Sequence, residues 1–256
     1  MTAREALADS RLADAVALQT AVVDSAPDDP AARLFLFELL VLSDELAAAR
    51  DHLDRIESGD PTWSDTRRRF LHLLRAEGRR SPHVYRPRFL TRPPVHIKRR
   101  WNATRAHRLA SEGRAAYWLD GADADTPEVK GFVDGRAFVG LRDTDDRFAA
   151  QFELFVNGRY VWVAFEQVRT LRIRPAEGVS DIAFREGDLV LADGRTLAVV
   201  VPTRYPGSAE AGDDYALAEA ADWSDDGGIV CGVGAKVLTF GEEDAPLSEC
   251  RMIEIR

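Results

Sequence analysis

Two aspartate–proline pairs, Asp29-Pro30 and Asp60-Pro61, stand 31 residues apart and constrain the first third of the chain more than any other feature. An aspartate carboxylate can accept from the free N–H groups at a helix start, and proline in the first helical position sacrifices no hydrogen bond. Each pair therefore predicts a helix beginning at its proline. The segments leading into them, AVALQTAVVDSAPDDP and LAAARDHLDRIESGDP, align in register, with Leu18 on Ala49, Val22 on Leu53 and Pro30 on Pro61. Tetratricopeptide-type helical hairpins repeat at about 34 residues and fit this pattern. A plain antiparallel bundle obeys the same packing rules and is the alternative.

Apolar periodicity supplies the rest of the helical half. Leu12, Val16, Gln19 and Val23 make a stripe on a helix of about 20 residues. ARLFLFELLVL is apolar nearly all round, which predicts a helix sandwiched between others. Ser43 is expected to cap the next helix, whose stripe is Leu46, Ala49, Leu53 and Ile56. A helix continues over 67–80. SPHVYRPRFLTRPPVH carries four prolines and predicts an extended connector. A last helix over about 97–112 should end at Gly113 in the left-handed conformation, and the acidic DGADADTPE after Leu119 reads as a turn or linker.

From Lys130 the texture changes to strands. Asp134-Gly135, Asn157-Gly158 and Asp193-Gly194 each separate two runs rich in β-branched and aromatic residues, which predicts three hairpins. IVCGVGAKVLTFG and CRMIEIR supply further strands. The fold class expected is α+β: a tetratricopeptide-like helical domain over 1–120, then a mainly antiparallel, β-rich α+β domain over 121–256.

Charge is distributed unevenly. The net charge is −9, yet residues 67–108 hold thirteen arginines and one lysine against the single acid Glu77. Three readings are open: a surface that neutralises the acidic remainder of the same molecule, a docking face for an acidic partner, or a nucleic-acid contact. A pI near 5.2 argues against the last. Arg67, Arg68 and Arg69 with Lys98, Arg99 and Arg100 are the basic candidates for partner contact.

Reaction chemistry is sparse. The five histidines, His52, His72, His83, His96 and His107, all lie in the helical half, none at i,i+4 to another, so each reads as a surface or interface residue. Cys231 and Cys250 lack neighbours for a zinc site or an activated nucleophile. Asp143, Asp145 and Asp146 suggest a calcium loop but have Phe148 where glycine is needed and Leu154 where glutamate is needed, leaving a polar turn. Gly232-Val-Gly234 precedes strand-like sequence, so no helix start is offered to a phosphate. Glu166 is the acid expected to be buried, paired with an arginine. No catalytic, cofactor or metal residue is predicted, no run of apolar residues is long enough to span a bilayer, and the N-terminus has no secretory h-region, so a cytoplasmic protein is expected.

The helical opening APDDPAARLFLFELL with SDELAAARDHL, then DTDDRF, GRYVWVAFEQV, PTRYPGS and GVGAKV, together resemble the ImpE family, also called TagJ, accessory proteins of bacterial type VI secretion. Their order and spacing fit across nearly the whole chain. Ala164 stands where the family usually has proline, and Ala235-Lys236 where it has glutamine-arginine. The resemblance implies a non-enzymatic adaptor that binds the small subunit of the contractile sheath, and the ATPase that disassembles contracted sheath. It also singles out Tyr160, Trp162, Phe165, Glu166, Arg204 and Tyr205 as motif residues, either partner-binding or part of the core with a buried ion pair.

Overall fold

The computed structural model describes residues 1–80, 87–225 and 227–256. The expected connector lies partly outside them, as does His83. Helices come first: α1 (Ala3–Ala8), α2 (Leu12–Ser25), α3 (Pro30–Leu42), α4 (Leu46–Asp54) and α5 (Trp63–Arg80). Asp29 caps α3 as its sequence requires, accepting from the N–H groups of Ala31 and Ala32. Nine residues of α3 are buried, because α2 and α4 pack on either side of it.

Several local expectations are corrected. The first helix is two: Ser10 takes a positive φ of 57° and breaks α1 from α2. Asp60 binds the Thr62 N–H and hydroxyl in a turn, so α5 starts at Trp63 rather than Pro61. Ser43 ends α3, its hydroxyl donating to Leu39, and does not cap α4.

After the strand β1 (Arg88–Phe89) come α6 (Val95–Arg108) and α7 (Glu112–Asp125), packed as a hairpin. The turn falls at Ala110, with φ 51°, and Gly113 lies inside α7 instead of ending α6. The acidic stretch after Leu119 is helical through Asp125 because α6 supplies its counter-charges: Arg99 pairs with Asp125 at 2.6 Å and Arg100 with Asp123. Tertiary pairing overrides a composition that reads locally as a turn.

The remaining chain forms β2 (Lys130–Val133), β3 (Arg136–Val139), β4 (Leu141–Asp143), β5 (Gln151–Val156), β6 (Arg159–Ala164), β7 (Val168–Ile173), β8 (Phe184–Leu191), β9 (Thr196–Pro202), short helices α8 (Ser208–Ala211) and α9 (Asp213–Ala216), then β10 (Ala221–Asp225), β11 (Val230–Gly234), β12 (Val237–Phe240), β13 (Glu243–Pro246) and β14 (Met252–Ile255). The three expected hairpins are β2–β3, β5–β6 and β8–β9. A nine-stranded sheet runs β1-β6-β5-β9-β8-β7-β14-β2-β3, antiparallel except where β1 pairs with β6, beside a three-stranded and a two-stranded sheet.

Strand alternation builds two cores. On β6, Tyr160, Trp162 and Ala164 join the helical core made by α1–α5, while Val161 and Val163 face a second core on the far side of the sheet. All six residues of β5 are buried, since both faces of that strand are covered.

Candidate partner-binding face

Tyr160, Trp162, Arg204 and Tyr205 converge in one place, and that place is inside. Arg80, the last residue of α5, has no exposure. Its guanidinium donates to Glu77 at 3.0 Å, to Glu153 on β5 at 3.4 Å and to the Arg204 carbonyl at 2.5 Å. Lys236 lies 2.8 Å from Glu153 and 3.4 Å from Asp143, its ammonium 4.1 Å from the centre of the Phe148 ring. The Tyr205 hydroxyl donates to Asp143 at 2.7 Å. Tyr160 donates to Glu153 and accepts from the Trp162 indole at 2.5 Å. Asp145 holds Arg147 at 2.9 Å and accepts the Gly232 N–H at 2.8 Å.

DTDDRF, GRYVW, PTRYP and GVGAKV thus meet in a single network. Four cations, Arg80, Arg147, Arg204 and Lys236, face four carboxylates, Glu77, Asp143, Asp145 and Glu153. A buried charge survives only when paired and hydrogen-bonded, which this arrangement provides. Glu153 shows it: burial pushes its carboxyl up, but Arg80 and then Lys236 outweigh that and hold it at about 2. Burial dominates at Glu77 and Asp143, which are raised despite Arg80 and Lys236. Burial also raises the hydroxyls of Tyr160 and Tyr205, and the neighbouring carboxylates add to it.

Arg204 has a different task. It donates to the carbonyls of Leu42 at 2.6 Å and Val41 at 3.4 Å, the C-terminal end of α3, and to Ala216 at 2.5 Å. A guanidinium there supplies a donor to the Leu42 carbonyl, adds to the Asp44 N–H at Val41, and meets the negative end of the helix dipole. It ties the helical repeat to the strand segment.

Tyr160, Trp162, Phe165, Arg204 and Tyr205 are therefore core residues, each 5% exposed or less. Glu166 departs from expectation: it is half-buried, and its partner is His96 at 2.7 Å rather than an arginine. His96 itself is buried, not a surface residue. Sequence reasoning missed the buried acids Glu77, Asp143, Asp145 and Glu153; the cation partners of Glu153 and Asp143, Arg80 and Lys236, lie on distant segments.

The basic candidates are largely neutralised within the molecule. Arg67 pairs with Asp54 at 2.6 Å, Arg68 with Asp65 at 2.8 Å and Arg69 with Glu186 at 2.7 Å. Arg99 also donates to the Gly121 carbonyl at 2.6 Å. Arg100 is buried, donating to the Asp146 carbonyl at 2.9 Å. Lys98 is exposed.

Surface hollows remain as places for a partner. One of about 420 Å³ lies among α1, α2 and α3, lined by Ala3, Leu18, Val22 and Phe35. Two more, of about 370 Å³ and 290 Å³, flank the tip of the β5–β6 hairpin against α5. Among the described residues no cluster of His, Cys, Asp or Glu could hold a metal ion, and no helix is long and apolar enough to cross a membrane.

Known proteins place this architecture. A family model described as ImpE protein matches residues 135–254, and a tetratricopeptide-repeat model matches residues 6–67. The chain is 30% identical over 260 residues to the type VI secretion system accessory component TagJ of Pseudomonas aeruginosa PAO1, covering 99% of this chain and 91% of that one. The crystal structure of protein VPA1032 from Vibrio parahaemolyticus matches at a TM-score of 0.92 with 20% identity, over 99% of this chain and 97% of that one. That likeness concerns the fold. With its helical repeat, its sheet and the four motifs gathered at their junction, the chain belongs to the ImpE family, that of the TagJ accessory components.

Proposed function

We propose that this protein is a cytoplasmic accessory component of a bacterial type VI secretion apparatus, a non-enzymatic adaptor that binds the small subunit of the contractile sheath and the ATPase that recycles contracted sheath. The observation that carries this reading is the 30% identity to TagJ across 99% of the chain. The destination of the family motifs supports it. Most of their charged groups, Asp143, Asp145, Arg147, Arg204 and Lys236 among them, are turned inward and paired or hydrogen-bonded, which is what a scaffold needs; a reaction centre needs groups left open to a substrate. Tetratricopeptide-type repeats support it too, since stacked helical hairpins offer shallow grooves for a partner's amphipathic segment.

The test is calorimetric titration of the N-terminal helix of the cognate small sheath subunit into the folded protein. Saturable heat with one-to-one stoichiometry is expected. Absence of heat at high micromolar concentration would refute the sheath assignment.

A further inference from the structure

One face of α5 carries Arg68, His72, Arg75 and Arg79, spaced four, three and four residues apart as a helix requires. Across from it lies the tip of the β5–β6 hairpin, Asn157-Gly158. Both residues have positive φ, 49° and 71°, and a β-carbon on Gly158 would stand 3.1 Å from the His72 ring. Glycine at this positive φ lets the tip sit against the helix without strain or a crowded β-carbon.

The tip separates two hollows of different character. The larger, about 370 Å³, is floored by Leu73, Phe155, Val199 and Val200. Its rim arginines are already spent on Asp65, Glu186 and Asp188. The smaller, about 290 Å³, is lined by Arg75, Arg79, Arg88, Arg159 and Tyr160, with no carboxylate among its described residues. Arg75, Arg88 and Arg159 are exposed and make no ion pair with any described residue. In a chain of net charge −9, most of whose neighbouring arginines are paired, three exposed arginines without an ion pair among the described residues favour an anionic group at this hollow.

We infer that this face seats an acidic, amphipathic segment of a protein partner, with an apolar side chain in the larger hollow and carboxylates on Arg75, Arg88 and Arg159. The inference rests on the reading that the chain works through protein contact, and not on which component is the partner. Guanidinium forks match carboxylates in two-point contact. From Arg68 to Arg79 the face is about 16 Å long at the helical rise, room for roughly three turns of a partner helix. A compact anion would use the arginine hollow and leave the apolar one empty.

Two titrations of wild type and the R75E/R159E double variant, both checked for fold by circular dichroism, separate the surface from the partner's identity. The first uses a fluorescent twelve-residue amphipathic peptide of leucine and glutamate, its glutamine counterpart, and a twelve-nucleotide oligothymidylate. Wild type is expected to bind the glutamate peptide at least tenfold more tightly than the glutamine peptide. The double variant should lose at least tenfold in affinity for it, while V22E, in the hollow at α1–α3, should not. A glutamate peptide bound within twofold by the double variant, not bound by wild type, or displaced equally well by the oligonucleotide would overturn the inference. The second titration uses the small sheath subunit. Failure of wild type to bind that subunit counts against the sheath assignment alone, because the peptide titration still decides the surface.

Discussion

Replacing Glu153 by glutamine removes one negative charge from the centre of the buried network while nearly preserving shape. The Glu153 side chain has no exposure and faces Arg80 at 3.4 Å and Lys236 at 2.8 Å. Its carboxyl is held at about 2 against an ordinary 4.5. That displacement corresponds to about 3 kcal/mol of stability at neutral pH, in line with the roughly 3–5 kcal/mol lost when one partner of a buried pair is removed. The folded value lies below the unfolded one. The contribution is therefore complete above pH about 4.5 and is lost as pH falls towards about 2. Glu77 and Asp143 are raised and run the other way, gaining stability on acidification, but they are common to wild type and E153Q and largely cancel in the difference. Urea unfolding followed by tryptophan fluorescence should show E153Q less stable by about 3 kcal/mol at pH 7. The gap should narrow by about 1 kcal/mol near pH 3.5. A gap below about 0.5 kcal/mol at pH 7, or one that does not move with pH, would refute the claim that paired charges hold this junction.

Three further outcomes follow from particular contacts. Asp29→Ala removes the α3 cap and should lower stability by about 1 kcal/mol in the same urea assay. Gly232→Ala would drive a methyl group into the Tyr205 ring and should cost about 1–3 kcal/mol, read as a lowered Tm; Gly59→Ala, where the β-carbon meets open space, should cause no such loss. Burial pushes the Cys250 thiol up to about 12, so it should resist a disulfide reagent at pH 8 in the folded protein and react once urea unfolds it.

What the sequence disclosed was what depends on neighbours along the chain. The Asp29 cap, the all-round apolar α3 and the Asp-Gly and Asn-Gly hairpins are set by a few consecutive residues, and all are found. DGADAD reads as a turn because its helix exists through Arg99 and Arg100 on α6, not through its own propensity. Tyr160, Trp162, Arg204 and Tyr205 were recognisable as family motif residues, but not as members of one network. Its links join residues 73 and 93 positions apart, such as Arg80 with Glu153 and Asp143 with Lys236. Arg159 carries no local signal of its role either: nothing near it in the chain tells a hairpin arginine that α5 will lie beside it.

Hydrogen–deuterium exchange of the protein with and without saturating small sheath subunit tests most directly the claim that this molecule works by docking a partner on a prearranged surface. The account predicts slowed exchange in peptides covering α5 and the tip of the β5–β6 hairpin, with the amides of the other strands unchanged. Exchange unaltered everywhere, or protection confined to α6 and α7, would contradict it.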